Sequence, residues 1–114
     1  MPLVMDVKSA SVSVLKNTSK PNELIAVSAS GQVPTTGWTN PMLVGVIHIV
    51  PPADGIWDFE FVATKPTGIV GQVVLPIHAS TVERMPPWFK GVRVHARTNS
   101  VVAMLGVPLE HLVA

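Results

Sequence analysis

Residues 56–63 read IWDFEFVA, and their centre alternates strictly between apolar and acidic side chains. Successive side chains of an extended chain point to opposite faces, so Trp57, Phe59 and Phe61 share one face and Asp58 and Glu60 the other. The same spacing on a helix would scatter the three aromatics around its circumference. The segment therefore reads as a strand with one face turned to a core. Downstream, VRVHAR (92–97) repeats the pattern, with Val92, Val94 and Ala96 inward and Arg93, His95 and Arg97 outward. TNS then turns the chain into a further strand, VVAML (101–105).

Upstream, residues 4–15 contain the alternating SVSVL, and KNTSKPNE follows as a polar turn into a second strand over 24–32. The run MLVGVIHIV (42–50) is almost wholly apolar, which predicts a strand buried on both faces, stopped by PPADG. TKPTG leads into a fifth strand, IVGQVVLPIHA (69–79), where Gly71 or Pro76 marks a bulge or an edge. After the seventh strand, PLEHLVA has Pro108 placed to begin one helical turn. Seven short strands with turns at this spacing predict an all-β fold: an antiparallel two-sheet sandwich, immunoglobulin-like in the broad sense. A small barrel is the competing architecture.

Composition agrees. Twenty of the 114 residues are valine, whose branched Cβ suits a pleated sheet, and eleven prolines and eight glycines supply turns. The length predicts one domain, residues 1–114, large enough for its own core. The chain is 47% hydrophobic and 13% charged, against ~25% charged in average domains, which argues against disorder. A net charge of +1 with no basic run gives no surface for nucleic acid. Without cysteine there is no disulfide, thiolate nucleophile or cysteine-bound zinc. No signal peptide is legible at the start, and no apolar run is long enough for a transmembrane helix. A soluble protein is expected, cytoplasmic rather than secreted.

Three of the four histidines occupy similar places in predicted strands, in VIHIV, PIHAS and RVHAR. On neighbouring strands in register, His48, His78 and His95 would converge, and Asp58 or Glu60 would complete a set of ligands suited to zinc. The sequence has no HxH or HExxH spacing, and three separate strand histidines are the simpler reading. Asp58 and Glu60 lie near enough for a carboxylate pair, but ion pairs with Arg93 or Arg97 across strands account for them without a cleft. The serine-rich stretches contain no GxSxG elbow, and GIVGQ is no phosphate loop. No catalytic residues, cofactor or metal ligands are assigned.

Two tryptophan-bearing loops stand out. In GQVPTTGWTNP (31–41), Trp38 follows a Pro-Thr-Thr-Gly turn; in RMPPWFKG (84–91), Trp88 follows two prolines that stiffen the backbone. Rigid loops that present tryptophan offer large contact area at small ordering cost. Thr35, Thr36, Gly37, Trp38, Pro86, Pro87 and Trp88 are therefore the candidate binding residues. The alternative is that each indole folds back to close an open end of the sandwich.

The words VPTTGW and MPPWFKG resemble the first and third loops of the chagasin-type inhibitors of papain-like cysteine proteases, and PPADGIWDFEFVA is similar to the strand entry between them. Val33 and Pro86 replace the asparagine and arginine of those motifs. The resemblance implies an immunoglobulin-like sandwich that blocks a protease cleft with three loops from one end. Thr35 to Trp38 would then be the central wedge, with Pro87 and Trp88 in the third loop. Taken together, the expected function is a non-catalytic binding module or assembly subunit, with protease inhibition as the alternative and a histidine-metal enzyme third. The expected partner is a second copy of the chain, in a homo-oligomer and most simply a dimer, because apolar edge strands lack charged guards. A further protein partner is compatible with the same reading, with neither nucleic acid nor membrane involved.

Overall fold

The computed structural model describes residues 1–15 and 24–105. Seven strands occupy them: β1 (Asp6–Leu15), β2 (Leu24–Val33), β3 (Thr39–Gly45), β4 (Ile56–Thr64), β5 (Leu75–Arg84), β6 (Gly91–His95) and β7 (Ser100–Met104). They form two sheets, ordered β1-β2-β5 and β3-β4-β6-β7, around a shared core. The fold is an all-β sandwich, with no helix among the described residues. The expected polar turn at 16–23 and the expected terminal helical turn lie outside the described residues.

Alternation produces the core. Val7, Ile25 and Val27 from one sheet meet Phe59, Phe61, Val92 and Val94 from the other, all essentially inaccessible to solvent. Each such side chain stabilises the fold by about 1.5–3 kcal/mol through apolar burial. The inward set expected of 92–97 is the buried one, and Arg93 and His95 face outward.

One pairing departs from an antiparallel sandwich. β4 and β6 run parallel, with Ile56 beside Gly91 and Glu60 beside His95. The chain leaves β4, runs back through β5 in the opposite sheet, and returns in its original direction. The return strand of the other sheet thus takes the place of a crossover helix. Where β6 stops, the N-terminal residues continue along β4: Val4 N–H donates to Phe61 O, and Ala63 N–H to Pro2 O.

Two strand expectations need correction. Only the first part of MLVGVIHIV is strand, and it is an edge rather than a doubly buried centre: Leu43 is buried, whereas Ile47 and Ile49 are 90% and 96% exposed. Pairing with β4 ends at Gly45↔Phe59, with one further bond from Val46 N–H to Asp58 O, although β4 itself extends back to Ile56. His48 is consequently on a loop. The fifth strand begins at Leu75, later than expected, and continues through Arg84 because β2 supplies an unbroken register from Val33↔Leu75 to Leu24↔Arg84. A long partner settled boundaries that a run of apolar residues did not.

Candidate functional site

The direction of the strands places the two tryptophan loops at opposite ends of the sandwich. Residues 34–38 follow the end of β2, beside the start of β5, whereas residues 85–90 follow the end of β5, beside the start of β2. The strand entry at 52–57 lies with the second loop, because Ile56 pairs with Gly91. The three loops that resemble inhibitor motifs therefore do not assemble into one wedge, and the seven candidate residues form two separate groups.

At the first end, hydroxyls and backbone fix the loop. Trp38 Nε1–H donates to Thr35 Oγ1 at 3.1 Å. Thr36 clasps the β4–β5 connection twice, its N–H donating to Gly71 O (3.0 Å) and its Oγ1 accepting from Gly71 N–H (2.8 Å). Gly37 has φ of 90°, and an added Cβ would lie 2.8 Å from Pro66 Cβ, so both conformation and space require glycine. Trp38 is half-buried against the core cluster. It is neither a free-standing finger nor a complete plug.

At the second end, aromatic packing and charge fix the loop. Phe89 N–H donates to Pro86 O, turning the chain so that Phe89 is buried, Pro87 is exposed and Trp88 is half-buried. Lys90 N–H donates to Gly55 O (2.8 Å), tying this loop to the β3–β4 connection. The Trp88 ring meets Trp57 edge-on at 6.2 Å and His48 at 5.7 Å. Trp57 in turn tilts against Phe59 at 4.8 Å and donates Nε1–H to Val46 O (2.9 Å).

Beside this stack lies an ionic cluster centred on Asp58. Asp58 Oδ1 accepts from His95 Nε2 (2.8 Å) and Arg93 Nη1 (3.1 Å), and Arg93 Nη2 also lies 3.5 Å from Asp54 Oδ2. The parallel register sets the contact, placing Asp58 beside Arg93 and one residue row from His95. An ionised carboxylate only accepts, so His95 carries its proton on Nε2. His48 Nε2 is 3.8 Å from Asp58 Oδ2, buried and without a hydrogen-bond partner. Burial alone would raise the Asp58 carboxyl pKa; hydrogen bonds from His95 and Arg93, with the charges of both, outweigh it and hold the group below its ordinary value.

Two of the three histidines, His48 from a loop and His95 from β6, thus lie beside Asp58, although three separate histidines were the simpler expectation. His78 does not join them, because β5 belongs to the other sheet, where His78 pairs with Ser30. Among the described residues no group of three or more His, Asp or Glu is arranged to hold a metal ion. Arg93 already supplies Asp58 with positive charge. The expected ion pairing of Asp58 with Arg93 is present, whereas Asp54 was not foreseen, since only folding of the loop brings it to the same guanidinium.

A second feature was not legible in the sequence. Trp38, Lys65 and Arg97 line a cleft of about 290 Å³ with the N-terminal residues Pro2, Leu3 and Met5 and with Pro34. These residues come from four separate places in the chain. The class defined is a helix-free two-sheet sandwich, over its described residues, that presents a different loop cluster at each end. No protein-family model, curated protein or solved structure matches the chain.

Proposed function

We propose that the protein is a non-catalytic interaction module that self-associates, most simply as a dimer, through the free edge of β3 and the loop that follows it. The observation that carries this reading is the run Met42, Val44, Val46, Ile47, Ile49 and Val50, exposed along an edge that no other strand among the described residues pairs with. Together these side chains offer several hundred Å² of apolar surface, the order of the ~800 Å² that each partner gives a standard interface. Monomers seldom leave such a patch open. Residues 42–50 include no Lys, Arg, Asp or Glu to repel another copy.

Backbone geometry supports a strand-to-strand contact. Met42, Val44 and Val46 face β4 with their peptide groups, as the Val46 N–H to Asp58 O bond shows, so those of Leu43 and Gly45 point outward. Pro41, the positive φ of Asn40 and the register shift between Thr39 and Met42 protect only the first part of this edge. A second copy related by a two-fold axis satisfies both the open peptide groups and the apolar side chains. Pro86, Pro87 and Trp88 flank the surface, because Trp88 packs on His48 of the same loop.

Sedimentation equilibrium at tens of micromolar tests the reading. A mass near twice 12.1 kDa is expected, reverting to 12.1 kDa in the Val44→Lys/Ile49→Lys variant. A wild-type mass of 12.1 kDa overturns it.

A further inference from the structure

We propose that the cleft beside Trp38 binds a small organic carboxylate with a flat apolar body. Lys65, just beyond β4, and Arg97, just beyond β6, bring two cationic side chains to one cleft whose other lining is largely apolar: Pro2, Leu3, Met5, Pro34 and Trp38. Neither cation has an acidic partner among the described residues. Asp6 lies 3.6 Å from Lys8, Asp54 and Asp58 pair with Arg93, and Glu83 accepts from Thr81. Glu60 sits within β4, beside Val44 and His95 in register. Both side chains are exposed and long enough to turn toward an anion seated in the cleft.

The walls are preorganised. The N-terminal backbone is fixed on both sides: Met5 N–H donates to Gln32 O (3.0 Å), Arg97 N–H to Val4 O (2.8 Å) and Thr98 N–H to Met5 O (3.0 Å). The opposite wall is held by the Thr36–Gly71 clasp and by the bond from Trp38 to Thr35. A cleft that is already formed loses little conformational freedom when it fills. Its volume, about 290 Å³, lies at the small end of ligand sites, which sets the size of the body it accepts. Arginine binds a carboxylate through two parallel N–H groups, and apolar walls favour a flat ring over a hydrated inorganic ion. The site lies at the end remote from Trp57 and Trp88 and does not depend on self-association.

The three tryptophans make the test internally controlled. A ¹H–¹⁵N spectrum of the full chain shows an indole N–H for each, assigned to Trp38 by its loss in Trp38→Phe. Titration with 1-naphthoate is expected to shift the Trp38 signal saturably, with dissociation in the millimolar range for a ligand of this size, while the Trp57 and Trp88 signals stay in place. 1-Naphthamide, which keeps the ring without the charge, and acetate or inorganic phosphate, which keep charge without the ring, are each expected to bind about tenfold more weakly. Lys65→Gln and Arg97→Gln are each expected to weaken 1-naphthoate severalfold without changing 1-naphthamide; unmoved Trp57 and Trp88 signals show that these exposed substitutions leave the fold intact. The proposal is overturned if the Trp38 signal does not respond, if 1-naphthamide binds equally well, or if phosphate alone saturates the site as tightly.

Discussion

The two ends of this sandwich are built from similar words, each a proline-rich turn leading to a tryptophan, yet they are held by different forces. At the Trp38 end the loop is tied by hydroxyl and peptide hydrogen bonds to Gly71, 35 positions away, and two cations with no acidic partner among the described residues border the cleft. At the Trp88 end three aromatic rings and a histidine stack beside a carboxylate that accepts hydrogen bonds from both Arg93 and His95. The two cations of the first end line a cleft, whereas Arg93 at the second end is engaged by Asp54 and Asp58. The proposed anion site lies at the first end, and the second adjoins the apolar edge proposed for self-association. A tryptophan in a stiff loop identifies a place of interest; its neighbours in space decide what kind of place it is.

Removing an aromatic should affect the second end most. Trp57→Ala deletes a ring packed on Phe59, Phe89 and Trp88, together with its hydrogen bond to Val46. A loss of about 3 kcal/mol is expected in urea unfolding. Trp38→Ala, which removes a half-buried indole bonded only within its own loop, should lose less. Equal losses would erase the distinction between the ends.

Charge gives a smaller effect with a defined pH dependence. Asp58→Asn should lower stability at neutral pH by about 1 kcal/mol, the upper range for a partly solvated ion pair. Because folding lowers the pKa of Asp58, its contribution is complete above the ordinary carboxylate range and declines as pH falls through the lower folded value. Urea midpoints of the two proteins should therefore converge in strong acid. A difference that grows on acidification would contradict the assignment of Asp58 as the ionised centre.

The smallest expected change concerns the clasp. Thr36→Val keeps the shape of the side chain but removes the acceptor for Gly71 N–H, at a cost of about 1 kcal/mol or less. Faster amide exchange at Gly71, with no change at Lys90, would show that the clasp acts only at its own end. Changed exchange at both would mean that the two ends are coupled.

The all-β class was readable because burial on a strand needs only a period of two. Phe59, Phe61, Val92 and Val94 alternate with charged residues in the sequence, and all four are buried in the fold. Alternation is a local property, and one sequence suffices to show it. Glycine and proline likewise announced the loops at 34–38 and 85–90, since their backbone constraints act within a residue or two. What alternation does not encode is which strand lies beside which. The apolar run at 42–50 reads as a buried centre, yet it forms an edge and an exposed loop, because its place in the sheet depends on the return path of β6. The parallel pairing of β4 with β6 brings Asp58 to Arg93 and His95, while β5 carries His78 away to the other sheet. The same topology separates Trp38 from Trp88 and gathers Lys65, Arg97 and the N-terminal residues around one cleft. Strand identity follows from short-range sterics and side-chain alternation, which the amino-acid sequence determines; neighbours across the sheets follow from packing the whole chain at once, which only the tertiary structure decides.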